Sequence, residues 1–196
     1  MTRGELSELH YIAHMDNVPS ILRLGILSHR RAARVPHASV AMEAVQARRA
    51  RAVVPGGRRL HEYVNLYLCA RNPMLYRLRG RHLDLCVLRV STDVLDLPGV
   101  VVTDGNASSG YARFAAAPGG LSIVDRDATF AEYWTAADQI VEWRKKSAKC
   151  AEVLVPDRIP PRFIFGAYVS CQQALDKLNN LDTSIAVTIN GHMFFQ

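Results

Sequence analysis

Short apolar runs of β type, separated by helical segments, are the feature that most restricts the fold of this chain. The runs are "YVNLYLCA" (63–70), "LDLCVLRVST" (83–92), "EVLVP" (152–156), "FIFGAYVS" (163–170) and "SIAVTI" (184–189). Runs of this composition predict strands, and the second run, which is more fully apolar than the first, predicts a buried one. The chain lacks the long βαβ spacing and the GxGxxG motif of a dinucleotide-binding domain. The pattern therefore predicts an α/β or α+β fold.

Helices are predicted between these strands. The opening stretch "ELHYIAHMDNVPSILRLGIL" (8–27) predicts a strand over 9–13 and a helix from Val18 to Leu24 that Gly25 closes. Asp16 or Asn17 supplies the N-cap oxygen of that helix, and Pro19 suits its first turn. Further helices are predicted in "SVAMEAVQARRARAVV" (39–54), "QALDKLNNL" (173–181) and, as one continuous helix, 128–150.

Composition limits the class of protein. The 196 residues, 49% of them hydrophobic, fit one compact domain over 1–196, and no apolar stretch approaches the ~20 residues that span a bilayer. Because "MTRGELSEL" lacks the features of a secretory signal, we expect a cytoplasmic protein. Four scattered cysteines fit neither a zinc site nor a disulfide framework. A net charge of +6 is typical of polyanion-binding proteins.

Three groups of polar residues are candidates for chemistry. Glu152 begins an apolar strand, where it is either a solvated edge-strand residue or a paired functional carboxylate. His14 and Asn17 precede a helix whose free N–H groups could hold an anion, although capping alone would explain Asn17. The arginines 48, 49 and 51 either bind a diphosphate or form a solvated face.

The segment "CARNPMLYRLRGR" (69–81) combines cations with an aromatic ring. Arginines beside Tyr76 could contact phosphates while bases stack, which is how proteins hold single strands, or the segment could be a solvated hairpin. The sequence contains no GxSxG, P-loop or HExxH motif, and its seven histidines are dispersed, so no metal site is predicted.

Several segments, in order, resemble one family, the DarT-type DNA ADP-ribosyltransferase toxins of toxin–antitoxin systems. The matching segments are "AHMDNVPSIL" (13–22), "QARR" (46–49), "YVNLYLCARNPMLY" (63–76), "DGNASSGYARF" (104–114), "AEVLVP" (151–156) and "TINGHMFF" (188–195). They span nearly the whole chain, and their combined order is far more specific than any one of them.

The resemblance implies an ADP-ribosyltransferase fold, a split β-sandwich core with flanking helices that binds NAD without a Rossmann motif. It implies transfer of ADP-ribose from NAD to a thymine or guanine of single-stranded DNA, release of nicotinamide, and a macrodomain antitoxin as partner. NAD is the co-substrate, and no metal is implied.

Catalytic and cofactor-binding roles follow from the resemblance residue by residue. Glu152 matches the catalytic glutamate, whose carboxylate would stabilise positive charge that builds on the ribose. Arg49 matches the catalytic arginine, with Arg48 as the alternative because the alignment is uncertain by one position. The residues matched to the NAD site are Tyr11, Ile12, His14, Asn17, Ile21, Arg48, Arg49, Tyr67 and Met74.

The residues expected to contact DNA are Arg71, Tyr76, Asn106, Arg113, Tyr133 and Lys146, with 125–134 as the substrate-recognition loop. The chain departs from the family at two places. Where this chain has Asn106, relatives often carry histidine; unlike histidine, asparagine cannot shuttle a proton. Where this chain has Tyr11 and Ala13, relatives commonly carry His and Thr.

Two alternatives remain. The same fold could modify RNA, protein or a small molecule, and a basic nucleic-acid-binding module without catalysis would explain the charge but not Glu152.

Overall fold

The computed structural model describes residues 1–181 and 183–196, which form ten strands and seven α-helices. The strands are β1 Leu9–His14, β2 Ile26–Leu27, β3 Tyr63–Tyr67, β4 Leu85–Val90, β5 Val101–Thr103, β6 Phe114–Ala116, β7 Glu152–Pro156, β8 Arg158–Ile159, β9 Ile164–Val169 and β10 Ala186–Ile189. The helices are α1 Val18–Leu24, α2 His29–Ala32, α3 Glu43–Arg51, α4 Pro73–Arg77, α5 Arg126–Phe130, α6 Gln139–Ala148 and α7 Gln172–Asn179. None of the helices in these two ranges is long and apolar enough to cross a bilayer.

Eight strands form one sheet in the order β10-β9-β4-β1-β3-β7-β5-β6, and β2 pairs with β8 in a separate ribbon. The pairing is antiparallel except between β9 and β10. The predicted mixture of short strands and flanking helices is confirmed. The second β-type run becomes β4, whose residues are buried except for the half-buried Arg89, in the interior of the sheet.

The middle of the sheet is its weakest junction. β1 pairs with β4 over six residues and β3 pairs with β7 over five, but β1 and β3 share the single pair His10 and Tyr67. Two well-paired halves of one sheet therefore meet at a single residue pair. Beyond this pair the two strands no longer hydrogen bond, which leaves room for a cavity between them.

Alternation along the strands distributes the core over both faces of the sheet. Val153 and Val155 of β7 pack in the largest apolar cluster, whereas Leu154 between them packs with Tyr63 and Leu60 in a smaller one. This is the period-two pattern of a strand that is covered on both sides.

Helix α1 ends where the sequence predicts. Gly25 closes it at φ +86°, and an added Cβ there would lie 2.2 Å from the carbonyl oxygen of Ile159. Only glycine fits this left-handed position against the neighbouring ribbon. The predicted N-cap is wrong in detail, because Asn17 occupies the cap position without a side-chain cap bond.

Two predicted elements are wrong. The continuous helix over 128–150 is broken into α5 and α6 by an irregular segment, because Asp138 caps α6 through the amide of Val141 and the preceding carbonyls bind side chains instead of helical amides. The hairpin alternative for 69–81 is also wrong. Asn72 accepts from the amides of Met74 and Leu75, which starts α4, and a 3₁₀ turn follows.

Candidate active site

A buried ion pair joins the two residues matched to catalysis. Glu152 begins β7 and is 1% exposed, and Arg49 on α3 is 6% exposed. Nη1 of Arg49 donates to both carboxylate oxygens, at 3.0 and 3.1 Å. Because β7 lies between β3 and β5, the interpretation of Glu152 as a solvated edge-strand residue is wrong.

The loop 104–113 holds the carboxylate from the other side. The amide of Ala107 donates to Oε1 of Glu152 at 3.2 Å. Oγ1 of Thr103 accepts from the amide of Glu152 at 3.1 Å and donates to the carbonyl oxygen of Gly105 at 2.6 Å. One charged and one neutral donor thus fix the orientation of this carboxylate.

A cavity of about 460 Å³ lies where β1 and β3 diverge, and Arg49 belongs to its wall. Glu152 sits behind Arg49. Nη2 of Arg49 is buried and has no hydrogen-bond partner among residues 1–181 and 183–196. Because an unpaired buried donor is costly, this nitrogen indicates a place for an acceptor group of a ligand.

The structure brings most of the residues matched to NAD together. Those in the cavity wall are Tyr11, Ile12, His14, Asn17, Arg48, Arg49, Tyr67 and Met74. Ile21 instead packs in the main apolar core. Asn17 exchanges two hydrogen bonds with the backbone of Ala38, at 2.8 and 2.9 Å, so it fixes a segment that lines the cavity.

Burial sets the protonation of the groups around the carboxylate. Burial raises the pKa of the Tyr67 hydroxyl well above its ordinary value, and the charge of Glu152 adds to this. That hydroxyl lies 3.0 Å from Sδ of Met74. Burial likewise raises the pKa of Cys150, another wall residue, to about 12. Both groups therefore stay neutral and cannot compete with Glu152 as the local negative charge.

Of the six residues expected to contact DNA, three have side chains at the cavity wall or on the surface. Asn106 lines the cavity, and its Oδ1 accepts from the amide and hydroxyl of Ser108. Tyr133 is 69% exposed. Lys146 pairs with Glu142 on the surface of α6.

The other three are engaged within the protein. Arg113 pairs with Asp104 and closes the base of the loop 104–113. Arg71 donates to two backbone carbonyls. Tyr76 makes edge contacts with Trp134 and Phe195 at centroid distances of 5.8 and 5.1 Å.

Sequence reasoning missed a histidine pair in the cavity wall. The rings of His29 and His61 are in contact, with centroids 4.0 Å apart and planes tilted by 33°. Burial lowers the pKa of both, and the positive charge of Arg49 contributes. The two residues are 32 positions apart and carry no spacing signal, so the sequence alone could not pair them. Other wall residues that were missed include Tyr63, Asn65 and Cys150.

No group of three or more His, Cys, Asp or Glu side chains suited to a metal ion occurs in the described ranges. The site therefore consists of one buried carboxylate, one arginine with a free donor, and a cavity of the size that ordinary small-molecule ligands occupy.

Comparisons with known proteins identify the family of this chain. The model of the family DarT, described as an ssDNA thymidine ADP-ribosyltransferase, matches residues 10–195. A DNA ADP-ribosyl transferase-DNA ADP-ribosyl glycohydrolase fusion protein of Thermosipho africanus is 35% identical over an alignment of 182 residues that covers 87% of this chain. The match spans only 44% of the fusion protein's length.

Solved structures match as well. Thermus sp. 2.9 DarT in complex with ADP-ribosylated ssDNA superposes with a TM-score of 0.83 at 29% identity, over 99% of each chain. The same protein in complex with NAD+ superposes with a TM-score of 0.76 at 27% identity, over 97% of this chain and 98% of that one. The fold is thus that of these transferases, and the chain belongs to the DarT family of single-stranded DNA ADP-ribosyltransferases.

Proposed function

We propose that residues 1–196 act as one ADP-ribosyltransferase domain that transfers ADP-ribose from NAD to a base of single-stranded DNA. The observation that carries this proposal is the buried pair of Arg49 and Glu152 beside a cavity whose wall contains an unpaired arginine nitrogen. The base is thymine or guanine, and the family description, an ssDNA thymidine ADP-ribosyltransferase, favours thymine.

The residues present fit NAD. The orphaned Nη2 of Arg49 offers a charged donor to a phosphate or ribose oxygen, and Arg48 adds a second cation to the wall. Bound NAD supplies the ADP-ribosyl group: its glycosidic bond to nicotinamide breaks, a bond to a base nitrogen forms, and the base loses a proton. The complex of the Thermus protein with NAD+ supports this choice of co-substrate.

The chain's own residues would act by charge and position. Glu152 supplies a fixed negative charge in a site with little water, where it stabilises positive charge far better than in solvent. Arg49 and the Ala107 amide keep the carboxylate from turning away. Cofactor contacts would come from the wall residues Tyr11, Ile12, His14, Asn17, Tyr67 and Met74.

On the DNA side we propose direct contacts by Asn106, whose position in the wall suits a base, by the exposed Tyr133, and by the half-buried Lys146. Asn106 would bind by hydrogen bonds and would not transfer protons. Tyr76, Arg113 and Arg71 would support these contacts. The Thermus relative bound to ADP-ribosylated ssDNA supports a single-stranded substrate.

We further propose that the chain is the toxin of a toxin–antitoxin pair in the cytoplasm, where NAD and single-stranded DNA occur together. A macrodomain antitoxin that removes the modification would be its partner. The fusion of a DNA ADP-ribosyl transferase with a DNA ADP-ribosyl glycohydrolase in Thermosipho africanus supports this pairing.

A panel of oligonucleotides tests the proposal. The protein is incubated with NAD and single-stranded DNA that offers each of the four bases, and mass spectrometry measures the added ADP-ribose while nicotinamide release is followed. We expect addition to thymine or guanine strands only, and none to duplex DNA, RNA or protein. Oligonucleotide binding without nicotinamide release would instead support a binding module, and modification of RNA or protein would support the same fold with another substrate.

A further inference from the structure

A lysine is completely buried at the end of α6. Lys149 is 1% exposed, and its Nζ donates to the carbonyl oxygen of Ala131 at 2.8 Å and contacts Sγ of Cys69 at 3.2 Å. Burying an ammonium group is costly unless its donors are used, so this side chain requires a structural or functional reason. What it holds is the start of the irregular segment 131–138 between α5 and α6.

A second cation holds the next carbonyl of the same segment. Nη1 of Arg71 donates to the carbonyl oxygen of Glu132 at 2.9 Å, and its Nε donates to that of His192 at 3.1 Å. The guanidinium also lies 4.3 Å from the centroid of the Phe195 ring. We call Arg71 and Lys149 the carbonyl clamp, because they bind two consecutive carbonyls of one loop.

Within the clamped loop, the ring of Tyr133 is free, whereas that of its neighbour Trp134 is packed. Trp134 is 8% exposed and makes edge contacts with Tyr76 and Phe195, both at 5.8 Å. Between the clamped Glu132 and the packed Trp134 stands Tyr133, which is 69% exposed. The backbone on one side of this tyrosine and the side chain on the other are therefore fixed while its ring faces solvent.

The loop contacts a helix that lines the cavity. Tyr76, which contacts Trp134, belongs to α4, and the neighbouring residues Pro73, Met74 and Arg77 of that helix line the cavity wall. A base that enters the cavity would thus have its strand neighbours close to Tyr133.

We propose that Arg71 and Lys149 are positioning residues, which hold the segment 131–138 so that Tyr133 stacks on a base adjacent to the modified nucleotide. This inference rests on the proposed function. A ring that is already held in place loses less conformational entropy when a strand binds. Stacking on it adds to the affinity for the strand whichever base is present. The clamp therefore acts on the affinity for the strand and leaves the handling of NAD unchanged.

The first test is a set of substitutions in the full chain. Lys149→Met removes the ammonium group and both of its contacts at similar volume. Arg71→Lys keeps the charge but removes the rigid fork whose Nε and Nη1 bind the carbonyls of His192 and Glu132. We expect each to raise KM for a single-stranded oligonucleotide by about five- to a hundredfold, the range of one lost stacking contact. Both kcat and KM for NAD should stay within about twofold of wild type, since those contacts are not made by the clamp.

A matched control and a charge test accompany these variants. Arg162→Gln removes an exposed arginine that also lies over a phenylalanine, Phe163 at 4.7 Å, but is bonded to neither loop carbonyl, and it should leave all constants unchanged. If Arg71 instead acts by direct contact with phosphate, Arg71→Lys would keep the wild-type KM and salt dependence, which would overturn the proposal.

Two further measurements separate positioning from general destabilisation. Amide hydrogen exchange should accelerate in 131–138 but not in β7 in either clamp variant. Tyr133→Phe should retain the wild-type KM for the strand, Tyr133→Ala should raise it, and Lys149→Met combined with Tyr133→Ala should be no worse than the single variants. Additive effects in the double variant, or unchanged exchange in the segment, would overturn the clamp.

Failure of the proposed function has a different signature. A wild-type protein that transfers no ADP-ribose to any single strand would contradict the function itself, whereas the exchange of 131–138 would still decide whether the two cations hold the loop. If Lys149→Met does not fold, the half-buried Arg71 still allows the test, because Arg71→Lys can be compared with wild type in KM for the strand and in hydrogen exchange of 131–138.

Discussion

Glu152 and Arg49 can each be buried as charged groups only because they pair with each other. Each is buried, and the two nitrogen–oxygen contacts of 3.0 and 3.1 Å neutralise both charges. A buried ion pair is weak evidence of stability, because apolar residues of similar volume would often serve as well. Its retention beside a cavity with an orphaned donor therefore fits a role in chemistry better than a role in folding.

Substitution of Glu152 should separate activity from stability. Glu152→Gln keeps the shape and one acceptor, so we expect it to fold and bind oligonucleotide while the transfer rate falls about 10²- to 10³-fold, as for loss of one transition-state charge contact. Glu152→Ala should lose activity and also about 3–5 kcal/mol of unfolding free energy, because Arg49 is left buried and unpaired. Denaturant unfolding and transfer rates measure the two effects.

The double variant Arg49→Met with Glu152→Leu serves as the control. It should recover stability relative to Glu152→Ala without recovering activity. A fully active Glu152→Gln protein would contradict the assignment of the carboxylate to the reaction.

At the scale of elements, the loop 104–113 and the end of α6 meet closely. A Cβ on Gly105 would lie 2.5 Å from Oγ of Ser147 and 3.1 Å from its carbonyl oxygen. The loop must therefore approach α6 through a residue without a side chain. This contact places the Ala107 amide against Glu152.

Gly105→Ala should thus disturb catalysis from outside the cavity. The methyl group would push the loop away from Ser147, and the amide of Ala107 would no longer reach the carboxylate. We expect a loss of transfer rate of up to about 10²-fold, the effect of a displacement near 1 Å at a reacting group. Gly110→Ala is the matched control, because a Cβ at Gly110 in the same loop meets nothing within 4 Å. Equal rates for the two variants would show that this contact does not position Glu152.

At the scale of the whole molecule, a polar cluster joins three neighbouring strands away from the cavity. Glu8 accepts from Nε of Arg89 on β4 at 2.7 Å and from the hydroxyl of Tyr168 on β9 at 2.9 Å. Nε2 of His10 on β1 lies 3.2 Å from the same carboxylate. Burial alone would raise the pKa of Glu8, but these hydrogen bonds outweigh burial and lower it from 4.5 to about 2.

The cluster predicts how stability changes in acid. Because the folded pKa lies below the ordinary value, Glu8 stabilises the fold above about pH 4.5, and this contribution is lost as the pH falls towards 2. We expect Glu8→Gln to lower the free energy of unfolding by up to about 3 kcal/mol near neutral pH. The difference from wild type should shrink to almost nothing at pH 2, as measured by urea unfolding across that range. A difference that does not change with pH would rule out ionisation of Glu8 as its source.

The sequence by itself predicted most of the local elements and named the candidates for the reacting groups. The β-type runs became strands, Gly25 closed α1, and the ordered motifs pointed to Glu152 and Arg49. Such features are readable because propensity, capping and alternation act between residues that are close along the chain. A family resemblance adds the roles of single residues, but it does not show what they touch.

Only the tertiary structure decided how these groups are held. Arg49 and Glu152 are 103 positions apart, and Lys149 and Cys69 are 80 apart, so no local pattern could pair them. The predicted helix over 128–150 failed because the carbonyl of Ala131 binds Lys149 at the far end of α6 and the carbonyl of Glu132 binds Arg71, which is 61 positions away. Burial and long-range hydrogen bonds override helical propensity once the chain has folded, and they are absent from any window of the sequence.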